Sequence, residues 1–240
     1  MFKYILFDLD GTLTDPKMGI TQSVQYALKA LGIDEPDLDK LEPFIGPPLD
    51  DSFKEFYQIP DEKMAFALEK YRERFSVKGK FENEVYPGIP EMLAALQKDG
   101  KKLAVASSKP TLFVEQIMEH FDLAKYFTVI LGSEMDGTRK IKEEVVEETL
   151  RRLVPGWSES HPGTWKERTE AEHAAHKEMG IEYPDIAMVG DRKFDIQGAH
   201  AFHLVPVAVS YGYAQGNELV EEGADYIADT VAELQKILEA

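Results

Sequence analysis

Short, almost continuously apolar runs recur along the chain, at Tyr4 to Phe7, Leu103 to Ala106, Phe127 to Leu131, Ile186 to Val189 and Leu204 to Val209. Each is too short for a helix and too evenly apolar for a strand with one wet face, so the pattern predicts buried parallel strands. Between them apolar residues return every three to four positions. Ile89 to Lys98 and Thr111 to His120 are examples, and both predict amphipathic helices. Strands alternating with helices predict an α/β fold: an open parallel sheet with helices on both faces.

Two segments break the alternation. Residues 16–85 read as helix after helix. Ile20, Val24, Ala27, Leu28 and Leu31 share one helical face, as do Met64, Ala67, Leu68, Tyr71 and Phe75. This predicts an all-helical cap over 16–85 inserted into a core formed by 1–15 and 86–240. Linkers are expected near Asp15-Pro16 and Lys80 to Pro87. The second break is an insertion at about 152–183. There Pro155-Gly156-Trp157 and His161-Pro162-Gly163 interrupt the chain, and Thr164 to Met179 reads as helical again. A helix starting near Lys142 runs antiparallel to the strands. The insertion is therefore expected at the sheet edge opposite the one where the strands end, away from any substrate.

Charge narrows the partners. Lys and Arg number 27 against 44 Asp and Glu, a net charge of −17. Such a surface repels nucleic acid and anionic membranes. No apolar stretch approaches the roughly 20 residues of a membrane span. The chain starts directly into Phe2-Lys3-Tyr4-Ile5-Leu6, without the basic and apolar segments of a cleavable leader. There is no cysteine, which excludes disulfides and thiolate metal sites. The expectation is a cytoplasmic protein.

The chemistry gathers where the strands end. The first run leads into Asp8 and Asp10, the second into Ser107, Ser108 and Lys109, the third through Gly132-Ser133 towards Lys142, and the fourth into Gly190-Asp191-Arg192-Lys193-Phe194-Asp195. In a parallel sheet these ends share one edge. Carboxylates crowded there raise one another's pKa unless a cation holds them. A hard divalent cation such as Mg2+ suits oxygen ligands, and a hydroxyl with a lysine suits a phosphate. A carboxylate can attack phosphorus, and a second one can protonate the leaving group and then activate water.

Asp8-Leu9-Asp10-Gly11-Thr12, Ser107 closing Leu-Ala-Val-Ala-Ser, Lys142, and Gly190-Asp191 with Asp195 resemble, in order, the four motifs of haloacid dehalogenase-like phosphatases. The helical block resembles that superfamily's α-helical cap. Gly132 to Arg139, with Val85-Tyr86-Pro87-Gly88, resembles the phosphoglycolate phosphatase-like branch. The resemblance implies a Rossmann-like core and a Mg2+-dependent phosphatase for a small phosphorylated metabolite. In that reading Asp8 is the nucleophile, and Asp10 is the acid and base whose backbone carbonyl binds the metal. Ser107 and Lys142 hold the phosphoryl group. Asp8, Asp10 and Asp191 form the metal site, supported by Thr12 and Asp195. Dehalogenases of the fold lack the second aspartate, so Asp10 argues for phosphate chemistry. A phosphoglycolate-like substrate is implied by the branch. A 5'-nucleotide, a sugar phosphate, a phosphosugar mutase and a non-catalytic phosphate-binding protein are the alternatives.

Other residues have plainer readings. Ser108 and Lys109 read equally as loop or site residues, and Arg192 as a surface or rim residue. Ile45-Gly46-Pro47-Pro48-Leu49 reads as a turn between cap helices or as a stiff loop touching substrate. Asp15 belongs to the hinge. Trp157 and Trp165 are expected to pack the insertion. His173 and His176, three apart with His161 nearby, lack a third metal ligand at a fitting spacing and read as a solvated face.

Overall fold

A computed structural model describes residues 1–161, 163–173 and 183–240. Six strands form a parallel sheet: β1 (Tyr4–Phe7), β4 (Lys102–Pro110), β5 (Val129–Ser133), β6 (Tyr183–Gly190), β7 (Leu204–Val209) and β8 (Tyr226–Ala228), in the order β5-β4-β1-β6-β7-β8. A separate antiparallel pair joins β2 (Thr14–Asp15) to β3 (Glu84–Val85). The chain order reverses beside β1: from it the sheet grows outward through β4 to β5 on one side and through β6 to β8 on the other. That is the position where ligands bind in open α/β sheets.

β1 lies between β4 and β6 and is covered on both faces, which explains its unbroken apolar run. Ile5 and Phe7 point into one core layer with Leu103, Val105, Ala187 and Val189. Leu6 points into the other with Ala104, Ala106, Ile186 and Met188. This alternation is the two-residue period of a strand. Full burial stabilises each such side chain by about 1.5–3 kcal/mol relative to exposure. Helices α4 (Ile89–Lys98) and α5 (Thr111–His120) cover the first layer, and α6 (Lys142–Leu153) covers the second. The bounds of α4 and α5 are those that the periodicity predicts.

Between β2 and β3 lie the cap helices α1 (Lys17–Ala30), α2 (Leu49–Tyr57) and α3 (Asp61–Phe75). They bury Ile20, Val24, Leu28, Phe44, Phe53 and Phe75 in a core of their own. Phe113 of α5 joins this cluster from the sheet side. The protein is thus an α/β sheet with an inserted all-helical cap. Two pairings lie outside the sequence reading. β8 is a short edge strand with Tyr226 and Ile227 exposed, so it lacks the apolar run that marked the others. β2 and β3 are two residues each, and they pair only because the cap brings its two linkers together.

The insertion packs at the far edge. α7 (Trp157–Ser160) and a 3-10 turn at Trp165–Glu167 bring Trp157 and Trp165 into the second core layer with Leu153 and Phe202. The ring of His161 stacks on Trp157 at 4.0 Å, and that of His173 on Trp165 at 3.9 Å. Trp157 also meets Tyr183, the first residue of β6, at 5.1 Å. At about 3.3 Å per residue, seven steps of β6 put Tyr183 roughly 23 Å from Gly190 at the other edge. The helix expected from Thr164 starts as a 3-10 turn, opened by the reciprocal capping of Thr164 and Glu167, gives way to extended backbone at Arg168 and is helical again over residues 170–173. His173 is not a solvated residue: its ring is stacked, and its Nε2 bonds the Trp165 carbonyl at 2.9 Å. His176 and Met179 lie outside the described residues. Trp157→Ala is expected to cost about 3–5 kcal/mol through the cavity it leaves. Thermal unfolding should show the loss, and kcat at a permissive temperature should stay within twofold of wild type.

Candidate active site

The polypeptide turns sharply where β1 ends. The Asp8 amide donates to the Val189 carbonyl at 2.8 Å, so the strand pairing continues through Asp8. The Leu9 carbonyl then accepts from Leu13 at 2.9 Å and Thr14 at 3.0 Å, folding residues 9–14 into a compact loop. Gly11 has φ +78°, and a Cβ there would lie 2.1 Å from Asp191 Oδ2. Only glycine lets the Asp8–Asp10 loop approach the end of β6 so closely. Asp8 and Asp10 are both buried.

Lys142 opens α6 and ties three strand ends together. Its Nζ donates to the Ala106 carbonyl at 3.0 Å, and it lies 3.1 Å from Asp8 Oδ1 and 2.7 Å from Asp195 Oδ1. Asp195 lies in α8 (Lys193–His200), where its Oδ2 accepts from the Arg192 amide at 3.1 Å. Asp191 is completely buried: Thr12 Oγ1 donates to its Oδ1 at 3.3 Å, and the Tyr213 amide to its Oδ2 at 2.7 Å. Ser107 is buried beside Ala106, with its Oγ accepting weakly from the Lys109 amide at 3.4 Å.

Burial sets the electrostatics. It pushes the carboxyl of Asp191 well above its ordinary range, and the charges of Asp195 and Asp8 push it further. Burial likewise raises Asp195, against the pull of Lys142, to about 6. Burial disfavours the Lys142 ammonium, yet Asp195 and Asp8 outweigh it and keep the amine charged. Asp10 is raised by burial while Lys109 pulls it back.

Asp8, Asp191 and Asp195 each offer a carboxylate oxygen, and these oxygens lie within 4.8 Å of one another. Oδ1 of Asp8 and Oδ1 of Asp195 receive no aligned hydrogen bond, although the Lys142 charge is near both. Buried anionic oxygens left without donors fit a hard divalent cation. The Asp10 carboxylate stands apart from this group and pairs with Lys109 Nζ at 2.5 and 2.7 Å. The structure therefore gathers Asp8, Lys142, Asp191, Asp195 and Thr12 by direct contact. Ser107 and Asp10 flank them without touching the carboxylate trio.

Residues to which the sequence reading assigned no definite role complete the surroundings. Lys109, read equally as a loop or a site residue, is the counter-ion of Asp10. Arg192 is neither a surface nor a rim residue. It is buried, with Nε on Glu218 at 2.7 Å and NH1 on the Ile45 carbonyl at 2.5 Å, because α8 begins under the cap loop. Tyr213 lies beyond the last recognised motif. Its amide holds Asp191, and its hydroxyl bonds Asp15 at the hinge. A Cβ on Gly212 would fall 2.3 Å from the Gly11 carbonyl, so this loop also needs glycine to close over the site.

A cavity of about 360 Å3 lies between core and cap and reaches the site at Asp10. Asp10, Lys109 and Phe113 line it from the core, Tyr71 and Phe75 from α3, and Gly46 to Leu49 from the stiff cap loop. Lys140 closes one side by pairing with Asp50 at 2.8 Å and Asp51 at 3.0 Å. Among the described residues no helix is long and apolar enough to cross a membrane.

A parallel sheet with a carboxylate cluster at its switch point, covered by a helical cap, defines a class of hydrolases. Residues 5–209 match the family described as haloacid dehalogenase-like hydrolase. A 5'-nucleotidase of Pseudomonas aeruginosa is 44% identical, over 98% of this chain and 95% of its own. The crystal structure of a predicted phosphatase from Clostridium acetobutylicum superposes with a TM-score of 0.84 at 41% identity, covering 100% of both chains. A phosphoglycolate phosphatase of Vibrio parahaemolyticus is 25% identical, over 98% of this chain and 96% of its own. The chain belongs to the haloacid dehalogenase-like hydrolases. Within them it is a phosphatase, a phosphoric monoester hydrolase.

Proposed function

We propose that the protein is a Mg2+-dependent phosphatase that hydrolyses a small phosphate monoester through a phosphoryl group carried on Asp8. The observation that carries this is the meeting of Asp8, Asp191 and Asp195 with Lys142, together with the Asp10–Lys109 pair that lines the cavity between core and cap. Asp8, Asp191 and the backbone carbonyl of Asp10 would hold the cation, with Asp195 adjoining. When bound, Mg2+ supplies charge neutralisation for the carboxylates and the phosphate oxygens.

A carboxylate oxygen of Asp8 attacks phosphorus, and the bond to the leaving oxygen breaks. Asp10, protonated, gives its proton to that oxygen. Burial, which raises Asp10 above the ordinary carboxylate range, favours the form that can do this. Asp10, now ionised, takes a proton from water as the water oxygen attacks the phosphorus of the acyl phosphate. Phosphate and the Asp8 carboxylate are released. Ser107 and Lys142 steady the phosphoryl oxygens. Residues 16–85 would act as the closing unit, with the β2–β3 pair as its hinge and Asp15 held by Tyr213 beside it.

Two substrates compete. Phosphoglycolate follows from the branch resemblance. A nucleoside 5'-monophosphate is favoured by the relative at 44% identity and by a cavity much larger than a two-carbon acid. Release of p-nitrophenol from its phosphate ester tests the core reading. Chelation should abolish release, and millimolar Mg2+ should restore it. Full activity in excess chelator would exclude the metal, and conversion of a hexose 1-phosphate to its phosphorylated isomer with no release of inorganic phosphate would make the protein a mutase.

A further inference from the structure

The cations around the cavity are not equivalent. Lys109 is committed to Asp10, and Lys140 to Asp50 and Asp51. Arg72, half-buried on α3, also lines the cavity, and its guanidinium has no partner among the described residues. Its neighbour on the same helix is fully engaged: Arg74 binds Glu82 at 2.7 Å, Ser23 at 3.2 Å and Gln22. A guanidinium presents five donors in a planar fork, so one left open on a ligand cavity is a reading head for a planar acceptor edge.

The rest of the wall says what kind of group carries that edge. Tyr71, Phe75 and Phe113 present aromatic surface, and Leu49 and Leu68 aliphatic surface. Such walls suit a flat ring system. Of the acids that line the cavity, Asp50 is neutralised by Lys140 and Glu134 by Arg139, while Asp136 makes no ion pair among the described residues. The charge of Asp136 opposes a second anion, which disfavours a carboxylate or a further phosphate on the leaving group. The volume of about 360 Å3 lies within the range of about 300–1,000 Å3 that holds drug-sized ligands.

We infer that Arg72 is the specificity-determining residue of this phosphatase and selects 6-oxopurine nucleoside 5'-monophosphates by pairing with the purine carbonyl and ring nitrogen. That bidentate pairing is the one arginine makes with O6 and N7 of guanine. Adenine carries an amino donor where the oxopurine has its carbonyl, so a guanidinium discriminates against it. The inference rests on the phosphatase reading of the same site.

The test measures free phosphate from GMP, IMP, AMP, phosphoglycolate and p-nitrophenyl phosphate, each with Mg2+, for wild type, Arg72→Met and Arg72→Lys. Wild type should favour GMP and IMP over AMP in kcat/KM by about 10-fold or more, the scale of one good bidentate pair. Arg72→Met should lower kcat/KM for GMP at least about 10-fold more than that for p-nitrophenyl phosphate. Arg72→Lys keeps the charge but not the fork, so it should fail to restore the preference. Equal use of GMP and AMP, with a ratio unmoved by Arg72→Met, overturns the inference. So does a preference for phosphoglycolate that Arg72→Met abolishes and Arg72→Lys restores. Release of phosphate from none of the five by wild type overturns the phosphatase reading along with it, whereas activity on p-nitrophenyl phosphate alone overturns only the role of Arg72.

Discussion

Asp8→Asn is expected to lower phosphate release by about 10³-fold or more, the scale on which loss of a covalent nucleophile acts. The amide is nearly isosteric but cannot form the acyl phosphate. The fold should survive, because Lys142 keeps Asp195 at 2.7 Å and the Ala106 carbonyl at 3.0 Å. Removing one of three crowded carboxylates also relieves repulsion on Asp191 and Asp195, both of which Asp8 pushes upward. Thermal unfolding should therefore change by only a few degrees, roughly 1 kcal/mol in a chain of this size. Activity above about a hundredth of wild type, measured with p-nitrophenyl phosphate and Mg2+, would remove Asp8 from the reaction.

Lys142→Met should damage stability and activity together. The ammonium is almost completely buried and faces two buried carboxylates. Breaking a buried ion pair by removing one partner typically costs about 3–5 kcal/mol. That corresponds to a fall in Tm of about 6–20 °C. The sign of the pH dependence follows from Asp195. Its folded pKa, about 6, already exceeds the ordinary value of 3.8 despite Lys142, whose charge pulls it down. A carboxylate raised in the folded state makes stability fall as pH rises from about 4 through 6. Without Lys142 the folded pKa moves higher still, so the deficit of the variant should shrink as pH is lowered. Millimolar Mg2+ should recover part of the lost Tm, since a cation bound only by the folded protein stabilises it. Turnover should remain depressed by about 10²–10³-fold even with Mg2+, as expected when a group that stabilises transferring charge is lost. A variant whose Tm falls by less than 2 °C at neutral pH would mean that the lysine is not the counter-charge.

The site was legible to the extent that it follows from strand ends. Asp8, Ser107 and Asp191 come directly after apolar runs, and Lys142 stands where a helical period begins. A parallel sheet has one edge for all strand ends, so their proximity follows from topology alone. The partners of long side chains do not. Lys109 was legible as a position but not as the counter-ion of Asp10. That pairing depends on how far β4 runs beyond Ala106, and it holds the ammonium 4.9 Å over the ring of Phe75 in the cap. Arg192 read as a rim residue because polarity suggested exposure. The cap loop buries it, and the Ile45 carbonyl and Glu218 satisfy it.

From the order of residues alone came the doubly covered sheet, the inserted helical cap and the carboxylate motifs, because each rests on a short-range period or on a strand terminus. Only the packed chain decided how close the Asp195 carboxylate comes to those of Asp8 and Asp191, that Tyr213 reaches back to hold Asp191 and Asp15, and that Arg72 faces the cavity without a partner among the described residues. These contacts join segments far apart in sequence. Their geometry is set by the angle at which the cap meets the sheet and by glycines such as Gly11 and Gly212 that permit near-contact of backbones. No local pattern encodes that angle, so the leaving-group side of the site becomes visible only in three dimensions.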